Sequence, residues 1–312
     1  MPPLIAIVGP TGAGKSELGI RLAGEFQGEI INCDSLQVYR YFDVGTAKLS
    51  EEQQRGIPHQ LIDILDPDQP FTAGEYARRA RRLLPEILGR GQIPFVVGGT
   101  GFYLRAFLDG LCAVPVGDEQ LRQRLAERER RHPGVLHRML ARWDEEASHR
   151  IHPNDLVKTT RALEISILTR TRLTELHSRG RDQLEGFAVL KVGLDPPREQ
   201  LYERLNLRLE QMFQSGLAEE VKHILELGFP ATVKPFESLG YRQCLEWLQG
   251  ELTEEDALLV AQQNTRRYAK RQMTWFRREQ GVHWLCGFGT EEQILLQATD
   301  LTRNHLETCG RP

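Results

Sequence analysis

Residues 4–8 read Leu-Ile-Ala-Ile-Val, an unbroken apolar run closed by Gly9. A strand with one face in water alternates apolar and polar positions, whereas a continuous run marks a strand buried on both faces. Further runs of this kind lie at 29–33, 61–65, 93–97 and 187–192, with a last one at 282–286. Between them the apolar positions fall at helical spacing, as over 15–26 and 74–88. Strand and helix in alternation predict a parallel α/β sheet. The alternation stops near residue 118 and resumes near 187, and the interval is strand-poor, charge-rich and helical in pattern. We therefore expect a helical subdomain over 118–186 inserted into an α/β core made of 1–117 and 187–312. A second helical zone covers 198–278, with breaks at Gly216, at Gly228-Phe229-Pro230 and at Gly250.

The first apolar run leads straight into Gly9-Pro10-Thr11-Gly12-Ala13-Gly14-Lys15-Ser16, which fits the phosphate-loop pattern G-x-x-x-x-G-K-[ST] and lies between strand and helix, where its mechanism needs it. The glycines let successive N–H groups turn onto phosphate oxygens. The helix start adds favourable potential for an anion, Lys15 supplies a point charge, and the Ser16 hydroxyl can hold Mg²⁺. Such a loop calls for a pyrophosphate-like anion without specifying ATP. Most enzymes that hydrolyse a nucleotide end another strand with an acidic residue that helps hold the magnesium. The run at 93–97 ends instead in Gly98-Gly99-Thr100-Gly101. Thr100 either donates a hydrogen bond to a phosphate oxygen or caps the helix that follows.

The run at 29–33 delivers Asp34-Ser35-Leu36-Gln37-Val38-Tyr39 at its carboxyl end, the edge where parallel α/β sheets bind ligands. A carboxylate there can accept a proton from an attacking group, and Gln37 can read a planar edge such as that of adenine. Capping of a turn is the other reading of Asp34 and Ser35. Farther along, Leu201, Leu205, Leu209 and Met212 form the apolar stripe of a helix over 199–214. Beside the stripe, Arg204 and Arg208 stand four apart with no acid three or four residues away. Like charges so placed repel mildly, and an outside anion would relieve them. Arg208, and after it Arg204, is a candidate clamp on a leaving phosphate; a surface pair tolerated in water is the alternative.

Bulk charge carries no signal: 40 Lys and Arg against 43 Asp and Glu leave a net charge of −3, so any nucleic-acid binding must be local. One stretch qualifies. Residues 264–278 hold six basic residues and no acid, with Tyr268, Trp275 and Phe276 interleaved. On a helix Arg266, Lys270 and Arg277 would share one side and Arg267, Arg271 and Arg278 the next. Guanidinium groups for phosphates with rings nearby suit single-stranded RNA, while a solvated helix with its aromatics packed inward has the same pattern. In the insertion, Asn154 and Asp155 are helix-cap types, and the basic excess is slight. Five scattered cysteines without ligand spacing read as reduced thiols, with no zinc. No apolar run approaches the ~18 residues of a membrane span, and a phosphate loop starting at Gly9 leaves no room for a signal peptide. A cytoplasmic protein without membrane association is expected.

Together these stretches resemble the tRNA dimethylallyltransferase (tRNA isopentenyltransferase) family over nearly the whole chain. The likeness rests on Gly9 to Ser16, Asp34 to Tyr39, Val44-Gly45-Thr46-Ala47-Lys48, Ile57-Pro58-His59, Val97-Gly98-Gly99-Thr100-Gly101 and His152 to Asp155 with Arg161-Ala162-Leu163-Glu164. Gly216-Leu217 and Tyr268-Ala269-Lys270-Arg271-Gln272 running to Trp275-Phe276-Arg277 complete it. Two positions depart from the family pattern: Gln60, where a second His is frequent, and Gln243, where Glu is common. The resemblance implies a kinase-like phosphate-loop fold whose loop holds a prenyl diphosphate in place of ATP. It implies transfer of a dimethylallyl group from dimethylallyl diphosphate to N6 of the adenosine just 3′ of a tRNA anticodon, in the presence of Mg²⁺; separately, a monomer is expected. Asp34, Thr100 and Arg208 would be catalytic, residues 9–16 would bind the diphosphate, and Ser16 would ligate the metal. Ser35, Gln37, Arg266, Arg267, Lys270, Arg271 and Gln272 would contact the tRNA anticodon stem-loop, together with the inserted helices. A small-molecule kinase, a prenyltransferase acting on free adenine nucleotides and a non-catalytic RNA-binding factor remain the competing readings.

Overall fold

The computed structural model describes residues 1–310 except 113, 116 and 179. The chain divides into two compact units, one made of Met1–Leu108 and Leu184–Pro312, the other of Asp109–Gln183. The first unit opens with β1 (Pro3–Val8), α1 (Lys15–Glu25), β2 (Gly28–Asn32), β3 (His59–Gln60), α2 (Ala73–Gly89), β4 (Ile93–Val97) and α3 (Gly101–Leu108). The second holds α4 (Glu119–Arg131), α5 (Val135–Trp143), α6 (Glu145–Arg150), α7 (Leu156–Thr169) and α8 (Leu173–Ser178). The first unit resumes with β5 (Ala188–Leu194), α9 (Arg198–Gln214), α10 (Leu217–Glu226), a 3-10 turn at Lys234–Glu237, α11 (Tyr241–Leu248), α12 (Glu254–Phe276), β6 (Val282–Leu285) and α13 (Glu292–Cys309).

The six strands form one parallel sheet in the order β3-β2-β4-β1-β5-β6, the α/β class that the alternating pattern implies. β1 is buried along its whole length, which is why it reads as an unbroken apolar run. Ile5 and Ile7 of this strand share a core with Leu18 and Leu22 of α1, Phe95 of β4 and Ile294 of α13. A second core joins the loop after β2 to the C-terminal helices: Val38, Tyr39 and Phe42 pack with Leu209, Met212, Phe236 and Tyr241, and the Phe42 and Tyr241 rings lie 4.7 Å apart. The breaks at Gly216, 228–230 and Gly250 fall between helices as expected.

Two expectations need correction. The run at 61–65 is not a strand: pairing with β2 is confined to His59 and Gln60, because Leu61 and Asp63 adopt φ of 62° and 53° and turn the chain away. Leu61 and Leu65 are buried by packing, with Leu65 bridging to Tyr39. The second unit also starts and ends earlier than 118–186. The segment before α4 belongs to it because Arg161 donates to the Pro115 carbonyl at 2.8 Å and the Asp118 N–H to Glu164 Oε1 at 2.6 Å. At the other end, the Leu184 N–H donates to the Leu108 carbonyl at 2.8 Å and so returns the chain to the first unit.

Inside the second unit, Leu125, Leu136, Leu140 and Leu163 form the core. Glu164 is fully buried there; burial opposes its charge, but the bonds from Arg122, Arg161 and the Asp118 N–H outweigh that and hold its carboxyl below the usual range. Asp155 caps α7 by accepting the Lys158 N–H at 3.0 Å, as its residue type suggests.

Candidate active site

β1, β4 and β2 are neighbours, so the segments that leave their carboxyl ends meet. The Gly98 N–H donates to Ile7, the Cys33 N–H to Val97 and the Thr100 N–H to Cys33, at 3.2, 2.8 and 3.2 Å. A Cβ on Gly98 would stand 2.1 Å from the Cys33 carbonyl oxygen, so only glycine lets the two segments lie this close. Asp34 is thereby held next to the phosphate loop. Its Oδ1 accepts the Leu36 N–H at 2.9 Å, and its own N–H donates to Asn32 Oδ1 at 3.1 Å. Among the described residues Oδ2 makes no hydrogen bond. The turn-capping and reactive readings of Asp34 therefore do not exclude each other, since one oxygen serves the turn and the other is open.

Lys15 begins α1 and donates from Nζ to the Pro10 carbonyl at 2.7 Å. Burial of the ammonium lowers its pKa to about 8, with Asp34 opposing the shift and Arg208 adding to it. Arg208 comes from the side of α9 that faces the loop; its burial lowers its pKa as well, again opposed by Asp34. A buried cation without a full complement of partners is poised for an anion, because an incoming charge removes a cost already present in the free protein.

Two cavities flank these groups. The larger, about 560 Å³, is walled by apolar and aromatic residues including Tyr39, Phe71, Tyr103, Leu209, Met212 and Tyr268. The smaller, about 340 Å³, is lined by the phosphate loop through Gly12, Gly14 and Ser16 and by Asn32, Gln37 and His59. Thr11, Lys15, Asp34, Thr46, Gly99 and Arg208 line both. The two cations and the carboxylate therefore stand at the boundary of the two spaces, with access from either.

The wall at residues 43–47 is firmly held. The Asp43 and Val44 N–H groups donate to Glu220 Oε2 at 3.0 and 2.7 Å, and Tyr241 donates its hydroxyl hydrogen to the same carboxylate while accepting the Gly45 N–H at 3.1 Å. Lys48 binds the Tyr39 carbonyl at 2.9 Å, Asp63 at 2.6 Å and Asp43. Both departures from the family pattern have structural uses. Gln60 donates to the buried Glu29 at 2.9 Å, and Gln243 accepts the Gly240 N–H at 3.1 Å to close the start of α11.

Several site residues are placed differently from the expectation. Gln37 lines the smaller cavity, but its amide donates to the Thr46 carbonyl at 3.2 Å. Ser35 lines the larger cavity and gives its N–H to Thr100 Oγ1 at 3.1 Å; Thr100 itself is in the lining of neither cavity and stands behind Ser35. Arg204 lines the smaller cavity beside Arg208, with its guanidinium over the Phe288 ring at 4.9 Å and donating to Thr290 Oγ1 at 3.3 Å. Gln272 lines the larger cavity but is 7% exposed, and both ends of its amide are engaged inside the protein. Arg266 faces α9, where it donates to Asn206 Oδ1 at 2.5 Å. Arg277 caps α12 with helical backbone, and its guanidinium pairs with Asp195 at 3.0 Å. Phe276 is buried, and Trp275 is covered by Arg105, whose guanidinium lies 4.1 Å from the ring centre. Arg277 is exposed but paired, which leaves Arg267, Lys270, Arg271 and Arg278 as the exposed cations of the stretch outside an ion pair among the described residues. Arg271 lines the larger cavity over the Tyr268 ring, whose hydroxyl burial pushes up to about 12.

Sequence reading missed the apolar wall, because Leu205, Leu209 and Met212 look like ordinary core positions, and it missed Thr290, which reaches the smaller cavity from the far end of the chain. Thr46 and His59 were visible only through the family pattern.

The sequence profile of the IPP transferase family matches residues 37–279. The chain is 58% identical over 277 residues to the tRNA dimethylallyltransferase of Solibacter usitatus, covering 89% of this chain and 90% of that one. It is 53% identical over 282 residues to that of Koribacter versatilis, covering 90% and 92%. The crystal structure of the full-length tRNA isopentenylpyrophosphate transferase from Bacillus halodurans superposes with a TM-score of 0.73 at 36% identity, over 99% of this chain and 98% of that one. A eukaryotic dimethylallyltransferase crystallised acting on tRNA superposes with a TM-score of 0.84 at 27% identity, over all of this chain and 81% of its own. With the profile spanning most of its length and relatives above half identity, the chain belongs to the tRNA dimethylallyltransferase family.

Proposed function

We propose that the chain transfers a dimethylallyl group from dimethylallyl diphosphate to N6 of the adenosine 3′-adjacent to the anticodon in tRNA, releasing pyrophosphate. The observation that carries this reading is the placement of Lys15, Asp34 and Arg208 on the wall common to two cavities. One substrate can approach the charged groups from each side. The diphosphate belongs in the smaller cavity, lined by the phosphate loop and its helix start. The adenine belongs in the larger one, where Tyr268 and Tyr103 offer flat apolar walls.

Adenine N6 is a poor nucleophile because its lone pair is delocalised into the ring. The barrier must fall chiefly through stabilisation of the departing charge and fixed alignment of the reactants. The C1–O bond breaks with its electron pair leaving on pyrophosphate, which Lys15 and Arg208 neutralise. The N6–C1 bond forms, and the proton that N6 must lose passes to Oδ2 of Asp34.

Magnesium fits as a companion of the diphosphate. Among the described residues no cluster of three His, Cys, Asp or Glu side chains could cage an ion, whereas Mg²⁺ is held readily by one or two protein oxygens plus phosphate and water. The Ser16 hydroxyl, exposed at the start of α1, is the protein oxygen that would hold it, and the ion would offset part of the leaving-group charge.

The reaction needs the target base out of its stack, at a cost of a few kcal/mol that contacts to flanking nucleotides must offset. Arg267, Lys270 and Arg271 on the exposed side of α12 are suited to those phosphates, next to the larger cavity. Action as a monomer is part of the proposal. No helix among the described residues is long and apolar enough to cross a membrane, and a tRNA substrate supports a cytoplasmic setting.

Incubation with labelled dimethylallyl diphosphate, Mg²⁺ and undermodified tRNA, with labelled ATP in parallel, tests the reading: prenyl label should reach the tRNA and no phosphoryl label should move. Transfer from ATP would reinstate the kinase alternative, and prenyl transfer to free adenine nucleotides the other. Arg267→Gln with Arg271→Gln should weaken stem-loop binding and lower the slope of log affinity against log salt by roughly 1 to 2, leaving pyrophosphate affinity alone. An unchanged slope would remove α12 from the RNA interface.

A further inference from the structure

Gln272 was expected at the RNA surface, yet its carboxamide lies under the phosphate loop. Oε1 accepts the Thr11 N–H at 2.8 Å, and Nε2 donates to the Gly99 carbonyl at 2.8 Å. Both partners line the two cavities, so one side chain on α12 ties together the segments that leave β1 and β4. The fit is close. A Cβ on Gly99 would stand 2.4 Å from Nε2, and one on Gly101 would stand 2.2 Å from Cδ1 of Trp275, one turn along the same helix. Tyr268 and Arg271, which wall the larger cavity, are four residues and one residue away from Gln272 on α12.

A phosphate loop grips an anion only while its amides hold their inward turn, and the loop entrance is the part without a helix to hold it. Here Gln272 supplies that restraint. We propose that Gln272 is a positioning residue: it presets the phosphate loop for the diphosphate and fixes the distance between the diphosphate and the wall of α12 that receives the base. The inference rests on the proposed function for the identity of the ligands. Its mechanical content, a helix amide that shapes an anion loop, stands on the two hydrogen bonds.

Gln272→Met keeps length and volume and removes both bonds. Pyrophosphate affinity and the KM for the prenyl donor should worsen roughly fivefold to tenfold, the worth of one or two ordinary hydrogen bonds, while the affinity for an anticodon stem-loop stays within twofold. Amide hydrogen exchange at Thr11 in the ligand-free protein should speed up, with the β1 amides unchanged. Gly99→Ala reaches the same bond from the opposite side by displacing Nε2, and its backbone tolerates the change because it is not in the left-handed region. The double variant should lose no more donor affinity than either single one, since both break one link.

The alternatives read out differently. Loss of stem-loop affinity with donor affinity intact would return Gln272 to the RNA surface and overturn the proposal. Additive losses would mean that the Gly99→Ala methyl acts by its own clash, and unchanged Thr11 exchange would mean that the loop holds itself; either result overturns the proposal. Wild-type protein that binds neither pyrophosphate nor the stem-loop would instead defeat the proposed function.

Discussion

Asp34→Asn should lower turnover of tRNA and dimethylallyl diphosphate by about a thousandfold, within the 10²–10⁴ range of a lost general base, with the fold and both substrate affinities kept. The substitution is narrow. Asn retains an oxygen to accept the Leu36 N–H, now made at 2.9 Å by Oδ1, so the turn that presents the residue survives. What disappears is the open, negatively charged oxygen that faces both cavities. Below the pH at which Lys15 titrates, pyrophosphate affinity should not fall, because a negative charge has left the neighbourhood of an anion site. Single-turnover measurement with saturating donor isolates the chemical step. A turnover within threefold of wild type would show that the N6 proton leaves by another route, and would reduce Asp34 to the turn cap that its sequence context also allows.

The second large effect is expected at Lys15. Its pKa in the free protein is lowered to about 8 by burial. A bound diphosphate favours the protonated form, so binding takes up a proton wherever the free lysine has lost one. Pyrophosphate affinity should therefore be full below pH 8 and fall as the pH rises through it, by up to roughly tenfold per unit. The stability of the ligand-free protein moves the other way. Folding costs Lys15 most while it is charged, so its contribution to stability improves between about 8 and its ordinary value of 10.5. Titration calorimetry with pyrophosphate across this range, in two buffers of different ionisation heat, reads the proton uptake directly. Lys15→Met should abolish the step near pH 8 and cost about 10²–10³ in kcat/KM for the donor, as expected for a group that meets developing charge. Removal of the Asp34 carboxylate, which holds the lysine pKa up, should move the same step to lower pH. Persistence of the step in Lys15→Met would assign it to another group.

These two predictions rest on groups that differ in how visible they were. The phosphate loop was legible because its chemistry is local: glycines, a lysine and a hydroxyl in one octapeptide bounded by strand and helix. Asp34 was legible because a parallel sheet delivers its strand ends to one edge, so the residue after β2 had to arrive there. Arg208 was legible as a cation with no partner on its own helix. The run at 61–65 misled, since burial by packing and burial in a sheet leave the same apolar signature. Left-handed turns at Leu61 and Asp63, which residue type does not announce, decided between them.

The C-terminal basic stretch shows where the limit lies. Composition alone identified six cations and three rings, and helical spacing grouped them on a continuous helix. α12 stops at Phe276, and which groups are left unpartnered at its surface depends on what packs against it: α9 claims Arg266, Asp195 pairs with the exposed Arg277, Arg105 covers Trp275 and the phosphate loop claims Gln272. The linear chain by itself determined the α/β class, the phosphate loop and the carboxylate at the sheet edge, because these follow from periodicity and neighbours in sequence. Only the tertiary structure decided that the charged groups lie between two cavities, that Thr100 stands behind Ser35 and that Gln272 braces the loop. Those are contacts between residues 65 to 261 positions apart, and nothing in local spacing encodes which distant backbone will meet a given side chain.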